Sequence, residues 1–357
     1  SCGVRSSNVS WLCCCSVVSR SPWSCTRQQE RTVTAYLAGV DSIRRSTSAA
    51  MIWPTRRAAV AGVLAAVFLV ICLRLYLDHQ LDVVFAELPQ SVSLEMQESL
   101  SPANLSRILL EKQNGYSSAP PFPHVYVDGM FPASLIHHVN AEVNHMKSGA
   151  FKNYRGTAQA GKTAVEEERR MGPATRMIFA AMRSKAFVQF LEKMSGITGL
   201  IPDPHYRGSG IHSTVVGGKL NIHADFNHYD AYNLERRVNT FVYLNPDWED
   251  QWEGHLELWD RNLTGCHERI APTFNRFVMF SSTDFSYHGH PQPLAAPEGL
   301  ARNSIALYYY TRGRPQTECV NNLCKERHST LFQTAKGTCS SQACNKYDTA
   351  TSPATRT

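Results

Sequence analysis

The 357-residue chain lacks the compositional extremes of fibrous, disordered and nucleic-acid-binding proteins. Its 21 Gly and 18 Pro follow no collagen-like period, and only 18% of the residues are charged against 43% that are hydrophobic. This much apolar material can fill a sizeable core, which excludes general disorder. The net charge of +6 is modest, and residues 1–50 carry four of those charges. We therefore expect no nucleic-acid partner.

Residues 1–50 differ in composition from the rest of the chain. They contain no Met, hold five of the 11 Cys, and are rich in Ser and Arg without a helical or strand period. The first Met is Met51. We expect this segment to be a non-native leader, with translation starting at Met51, or a cleaved transit peptide.

An uncharged apolar run follows, from Ala58 to Leu73, directly after Arg56 and Arg57. As a helix it would span ~24 Å, slightly less than a ~30 Å hydrocarbon core. A signal peptide and a buried helix are the alternatives. We predict a signal anchor, a single transmembrane helix within residues 51–77. The positive-inside rule then places the bulk of the chain in the lumen of the endoplasmic reticulum or Golgi.

Two glycosylation sequons, Asn104-Leu-Ser and Asn262-Leu-Thr, fit a lumenal location. Residues 78–120 have the composition of a stem, in which Ser101 and Pro102 are typical of a helix N-terminus.

Residues 121–314 contain helical patterns first and strand patterns afterwards. Helices are predicted from Phe131 to Met146 and from Pro173 to Met194, and the polar residues 151–172 predict a loop or a mobile lid. Six short β-rich runs follow between Gly and Pro turns: Ile211–Val216, Leu220–Phe226, Thr240–Leu244, His255–Trp259, Arg276–Ser281 and Ser304–Thr311. This order predicts an α+β domain with one sandwich or barrel of strands.

The tail, residues 315–357, contains two pairs of cysteines with four-residue spacers: Cys319, Cys324, Cys339 and Cys344. In an oxidising lumen this pattern favours two disulfides, with a four-thiolate zinc site as the alternative. Cys266 has no obvious partner in the sequence.

The sequence His223-Ala-Asp225 lies within one predicted strand. Because strand side chains alternate, His223 and Asp225 should point into the same space, together with Asn221. His288 follows the strand Arg276–Ser281. Two histidines and a carboxylate on neighbouring strands can form the facial triad that binds non-haem Fe(II) and leaves open positions. Two residues on, His290 is the alternative third ligand.

Six segments around these residues occur in a recognisable order: Gly217–Asn227, Arg236–Asn245, Gly254–Trp259, Pro272–Phe280, His288–Pro291 and Arg302–Tyr310. In this order they resemble the 2-oxoglutarate/Fe(II)-dependent dioxygenase superfamily, in its prolyl 4-hydroxylase-like branch. The resemblance extends from about Phe122 to Arg314. It implies a double-stranded β-helix (jelly roll) with an N-terminal helical layer.

The same resemblance implies that His223, Asp225 and His288 bind Fe(II). It implies that Arg302 holds the distal carboxylate of 2-oxoglutarate, with Ser304 assisting. Asn221 is a candidate pocket residue. The implied co-reactants are 2-oxoglutarate and O₂, with ascorbate as an expected reductant.

The sequence therefore predicts an oxygenase that hydroxylates a C–H bond, most simply of a prolyl residue in a protein or peptide. One alternative is an oxygenase for a glycan, a lipid or a small metabolite. The other is a non-catalytic binding module that keeps the fold, against which the complete ligand set argues.

Overall fold

The computed structural model describes residues 62, 65–74, 88–146, 150–154, 156–319, 326–337 and 339. The chain divides into two compact units, Ser1–Leu75 and Tyr76–Thr357. The predictions for residues 1–50, for most of residues 51–77, and for Cys324 and Cys344 lie outside the described residues.

In the first unit, residues 65–74 are helical and exposed. No helix within the described residues has both the length and the apolar character that a membrane crossing needs. The transmembrane helix expected from the sequence is thus not found in that part of the chain.

The second unit begins with a helical layer. The described residues form helices α1 (Gln90–Ser99), α2 (Pro102–Tyr116), α3 (Ala133–Asn144), α4 (Pro173–Arg183) and α5 (Lys185–Ser195). The Ser101 side chain caps α2 by accepting from the Asn104 amide at 3.3 Å. At Ser184 the backbone is extended and its side chain caps α5. The single helix predicted from Pro173 to Met194 is therefore two helices.

Helices α1 and α2 come from the segment expected to be a stem. Their buried side chains, including Val92, Leu105 and Ile108, join the main hydrophobic core with Leu135 of α3. The spacing of Leu105, Ile108 and Leu109 puts three apolar side chains on one helical face, which must be buried. The structure thus makes residues 90–116 part of the domain's helical layer.

The start of α4 is fixed by a buried carboxylate. Both oxygens of Glu142 accept hydrogen bonds of 2.8 Å, from the backbone amides of Ala174 and Thr175. The N-terminal end of a helix attracts negative charge because its first amides have no partner within the helix. A Cβ at Gly172 would come within 2.1 Å of the Glu142 carboxyl carbon, so this approach requires glycine.

The strands of the described residues form one curled antiparallel sheet. They are β1 (His124–Asp128), β2 (Lys152–Asn153), β3 (Gln159–Val165), β4 (Ile201–Pro202), β5 (Gly210–Ala224), β6 (His228–Tyr229), β7 (Leu234–Tyr243), β8 (Leu256–Trp259), β9 (Cys266–Ile270), β10 (Arg276–Ser281), β11 (Tyr287–His290), β12 (Ala301–Thr311) and β13 (Leu331–Phe332). The spatial order β1-β10-β7-β12-β5-β11-β8-β9 interleaves strands that are distant in sequence. This arrangement fits the predicted jelly-roll core.

Two elements of the sheet differ from the sequence-based expectation. The runs Ile211–Val216 and Leu220–Phe226 belong to one strand, β5. The polar segment predicted as a loop or lid contains β2 and β3, and β3 pairs with β5 along its edge. An edge strand needs little apolar alternation of its own, because pairing with its neighbour holds it in place.

The C-terminal segment crosses the edge of β5. Strand β13 pairs with β5, with Phe332 opposite His223. A disulfide joins Cys339 to Cys266 at the start of β9. Cys319 is also disulfide-bonded. A cysteine in a disulfide offers no thiolate to a metal, so these two bonds favour the disulfide alternative over zinc. The expectation of two disulfides among the four tail cysteines is wrong for Cys339, which bonds to Cys266 outside the tail. Cys266 has no obvious partner in the sequence because that partner lies 73 positions further along the chain.

Candidate active site

The sheet brings His223, Asp225 and His288 together. His288 of β11 lies directly opposite His223 of β5, and residues directly opposite in an antiparallel pair face the same side. The Nε2 atoms of His223 and His288 lie 3.5 and 3.4 Å from the two Asp225 carboxylate oxygens. All three side chains are buried, and their ligand atoms lie within 4.8 Å of one another.

Backbone carbonyls set the orientation of both imidazole rings. His223 Nδ1 lies 2.8 Å from the Asn221 carbonyl oxygen, and His288 Nδ1 lies 2.8 Å from that of Ser286. Carbonyl oxygens only accept, so Nδ1 carries the proton and the Nε2 lone pair of each ring faces Asp225. Burial lowers the pKa of His288 to about 4, which keeps this imidazole neutral and ready to bind a metal near pH 7.

This donor set fits the Fe(II) that the sequence resemblance implies. Two neutral imidazole nitrogens and one carboxylate are the ligands of a facial triad. With metal–ligand bonds of about 2.1 Å, neighbouring ligand atoms at right angles lie about 3 Å apart. The observed separations of 3.4 and 3.5 Å are close to this value.

Asp225 is held by two side chains from β7. The Arg236 guanidinium lies 2.9 Å from Asp225 Oδ2, and the Asn239 amide donates to the same oxygen at 2.6 Å. Arg236 Nε in turn donates to Asn239 Oδ1 at 2.7 Å. Burial alone would raise the pKa of the Asp225 carboxyl, but Arg236 and the two imidazoles hold it well below its usual range. The carboxylate therefore stays charged and oriented at neutral pH.

The triad opens into a cavity of about 60 Å³. The residues that line it are Lys162, His212, Thr214, Leu220, His223, Asp225, Phe241, Tyr243, Leu256, His288, Gly289, His290, Arg302, Ser304 and Tyr308. The triad thus forms one part of the lining, and the rest combines basic, hydroxyl and apolar side chains. Such a mixture suits a small charged ligand that also has a carbon chain.

Arg302 and Ser304 lie in this cavity, as the sequence predicts. Arg302 donates through Nε to the Gly254 carbonyl at 2.5 Å and through Nη2 to the Tyr243 hydroxyl at 3.1 Å. Neither contact neutralises the guanidinium, and no ion pair to Arg302 occurs among the described residues. A buried guanidinium without a carboxylate is suited to bind the carboxylate of a ligand.

The structure places Asn221 differently from the sequence prediction. Asn221 does not line the cavity, whereas Leu220 does. The pairing of β11 with β5 shifts between His288/His223 and His290/Leu220, so that two residues of β5 lie opposite one residue of β11. This bulge breaks the simple alternation on which the Asn221 prediction rests. Asn221 contributes its backbone carbonyl, which orients His223.

His290, the alternative third ligand, lines the same cavity but is not part of the cluster formed by His223, Asp225 and His288. Its Nδ1 atom is buried without a hydrogen-bond partner among the described residues. Burial lowers the pKa of His290 well below its usual range, so it contributes a neutral polar group to the cavity wall.

The sequence does not predict the roles of three residues of this site: Arg236, Asn239 and Lys162. Arg236 sits in a strand that is otherwise largely buried, and a charge in such a strand is a signal for a buried partner. Asn239 and Lys162 carry no comparable signal, because their roles depend on which strands become neighbours.

The comparisons with known proteins agree with this geometry. Residues 209–310 match the family described as the 2OG-Fe(II) oxygenase superfamily. The matched segment contains the whole triad together with Arg236, Asn239 and Arg302. No curated protein matches the sequence.

Several solved structures are similar at low identity. A prolyl hydroxylase from Trichoplax adhaerens, in complex with a hypoxia inducible factor peptide fragment, is 19% identical and has a TM-score of 0.41, covering 63% of this chain and 94% of its own. A prolyl-4-hydroxylase from Pseudomonas putida is 18% identical with a TM-score of 0.43, covering 59% and 99%. A prolyl 4-hydroxylase from Phytophthora capsici is 15% identical with a TM-score of 0.43, covering 65% and 70%.

These structural similarities are too distant to bear on function, so the assignment rests on the family match and on the site itself. Both point to the same chemistry, since the matched segment is the one that folds into the ligand cluster. Residues 209–310 are therefore similar to the 2OG-Fe(II) oxygenase superfamily, and the ligand cluster in this segment fits the Fe(II), 2-oxoglutarate and O₂ that this family implies.

Proposed function

We propose that this chain is a 2-oxoglutarate-dependent dioxygenase that hydroxylates a prolyl residue of a protein or peptide in the secretory pathway. The observation that carries the proposal is the cluster of His223, Asp225 and His288 in the lining of a cavity that also contains Arg302. The order of the six sequence segments, which resembles the prolyl 4-hydroxylase-like branch, supports a prolyl substrate.

Fe(II), held by His223, Asp225 and His288, would supply the oxidative chemistry that couples decarboxylation of 2-oxoglutarate to hydroxylation of a C–H bond. The residues of the chain would bind the metal and orient its ligands. The two backbone carbonyls fix the imidazole rings, and Arg236 and Asn239 fix the carboxylate. Carbonyl partners that orient metal-binding imidazole rings typically contribute roughly 10- to 100-fold to metal affinity.

The part of the cavity around Arg302 is suited to the distal carboxylate of 2-oxoglutarate. The Arg302 guanidinium supplies the charge, and Tyr243 and Ser304 supply hydroxyl groups beside it. The apolar side chains of Phe241 and Leu256 line the same cavity and limit the access of water to the carbon chain of the co-substrate.

The proposed location in the secretory pathway is supported by the cysteines. The bond between Cys266 and Cys339 and the oxidised state of Cys319 suit an oxidising compartment. The apolar run within residues 51–77 supports anchoring in the membrane of the endoplasmic reticulum or Golgi, with the dioxygenase domain in the lumen.

The test measures the binding of Fe(II) and 2-oxoglutarate first and the turnover of 2-oxoglutarate second. The full chain, expressed in a secretory host, is made metal-free and then loaded anaerobically with Fe(II) and 2-oxoglutarate. We expect the weak visible charge-transfer band of the Fe(II)–keto-acid chelate. His223→Ala should lose the band. The matched control is His228→Ala, because His228 is buried next to Glu235 but does not line the cavity.

Turnover is then measured as succinate formation with proline-containing peptides. Succinate that depends on a peptide, with one added oxygen on a prolyl residue by mass spectrometry, supports the proposal. A band without turnover on any peptide, but with turnover on glycans, lipids or small metabolites, would move the substrate to the alternative class. Absence of the band in folded, iron-loaded protein would refute the proposal.

A further inference from the structure

Lys162 lies in the same cross-strand row as Arg302. Lys162 of β3 pairs with Thr214 of β5, and Thr214 pairs on its other side with Arg302 of β12. Side chains that are directly opposite in antiparallel strands share one face of the sheet, and all three of these residues line the cavity. Neighbouring strands are about 4.8 Å apart, so the backbones of Lys162 and Arg302 lie about 10 Å apart, with Thr214 between them.

The cavity therefore contains an excess of positive charge. Asp225 is the one carboxylate among its lining residues, and Arg236 already pairs with it. Within the described residues Lys162 has no ion pair; its ammonium lies 5.4 Å from the centre of the Tyr154 ring. Lys162 is half-buried. A cation that is partly removed from water and has no counter-ion is unfavourable, and an anionic ligand removes that cost.

Electrostatics of the neighbouring groups agree with this location. Burial lowers the pKa of Lys162 to about 8. The charge of Asp225 raises this pKa, and the charge of Arg302 lowers it further. The positive charge of Lys162 also contributes to lowering the pKa values of His212 and His290. The ammonium group thus lies among the residues of the cavity and acts on them.

We infer that Lys162 is a second cationic contact for the distal carboxylate of 2-oxoglutarate, so that Lys162 and Arg302 hold this carboxylate from two strands on opposite sides of β5. The inference rests on the proposed use of the cavity for 2-oxoglutarate. It makes Lys162 a residue that selects dicarboxylic over monocarboxylic 2-oxo acids.

The test compares two ligands in anaerobic Fe(II)-loaded full chain, with the charge-transfer band as the binding signal. The first ligand is 2-oxoglutarate. The second is 2-oxopentanoate, which keeps the keto-acid end but has a methyl group in place of the distal carboxylate. Lys162→Met removes the charge, Lys162→Arg retains it, and Lys219→Met is the control, because Lys219 lies on β5 outside the cavity.

We expect Lys162→Met to raise the Kd of 2-oxoglutarate roughly 10- to 100-fold, the usual range for one hydrogen bond to a charged group. Its Kd for 2-oxopentanoate should stay within about two-fold, and Lys162→Arg should recover most of the lost affinity. Lys219→Met should change neither value. Circular dichroism and melting temperature confirm that each variant is folded.

Two results would overturn the inference. Either Lys162→Met leaves the Kd of 2-oxoglutarate unchanged, or it weakens both ligands equally, which would indicate a role away from the distal carboxylate. A wild-type chain that binds neither ligand would instead refute the proposed function, so the two failures are distinguishable.

Discussion

Replacing Arg236 by Met should destabilise the metal-free protein strongly, and binding of a metal should restore much of the loss. Arg236 is buried and lies 2.9 Å from Asp225 Oδ2. Removing one partner of a buried ion pair typically costs about 3–5 kcal/mol, because the remaining charge stays buried without compensation. Met retains much of the aliphatic stem and removes the guanidinium, which also lies over the rings of Tyr308 and Phe226, so the lost guanidinium accounts for most of the effect.

A metal bound by Asp225 supplies the positive charge that Arg236→Met removes. The difference in unfolding free energy between wild type and variant should therefore fall by at least half in saturating Mn(II). The Asp225 pKa lies well below its usual value in the folded wild type. Its contribution to stability is thus fully present above the unfolded-state pKa of about 4 and is lost as the pH falls through the lower folded-state value. Measurements at pH 7.5 capture it fully.

The assay is urea unfolding followed by circular dichroism, with and without Mn(II). Arg237→Met is the matched control, because Arg237 is also buried on β7 but pairs with Glu318 at 2.9 Å, away from Asp225. Its loss of stability should not respond to the metal. The reasoning fails if Arg236→Met costs less than about 1 kcal/mol, far below the range for a buried pair, or if Mn(II) leaves the difference between wild type and variant unchanged.

Three further predictions concern neighbouring parts of the site. Arg302→Met should raise the Kd of 2-oxoglutarate roughly 10- to 100-fold in a charge-transfer titration and leave the affinity for Mn(II) unchanged. Normal binding of 2-oxoglutarate would show that Arg302 does not contact its distal carboxylate. Replacing Cys266 and Cys339 by Ala should lower the free energy of unfolding by up to about 4 kcal/mol, because the disulfide closes a loop across a separation of 73 residues. The replacement should also speed amide hydrogen exchange in residues 326–337. Unchanged exchange would mean that the disulfide does not hold this segment. Burial lowers the pKa of His288 to about 4, so as the pH falls this histidine is protonated in the unfolded chain before it is protonated in the folded chain. Metal-free protein should therefore lose stability as the pH falls from about 6.5 towards 4. His288→Asn should flatten that part of the stability profile, and an unaltered slope would contradict the lowered pKa of His288.

Much of the fold follows from local patterns in the sequence. The apolar stripe Leu135, Ile136, Val139 and Val143 predicts α3, and all four side chains are buried. The bounds of β10 match the prediction, because a short apolar run between turn residues needs no distant information to be recognised. The two-residue spacing of His223 and Asp225 likewise predicts that both face the same space.

Other features depend on which strands become neighbours. The bulge in β5 places Leu220 in the cavity instead of Asn221, since it arises from pairing with β11, more than sixty residues away in the chain. The polar segment around Lys162 becomes a strand because β5 offers it an open edge.

The sequence by itself therefore determined the ligand types, the succession of a helical part and a strand-rich part, and the family resemblance, because alternation and short motifs are local properties. Only the tertiary structure decided how Asp225 is held, which cations share the cavity, and that Cys266 joins Cys339. Each of these is a contact between residues far apart in the chain, and such contacts form only when the sheet has closed.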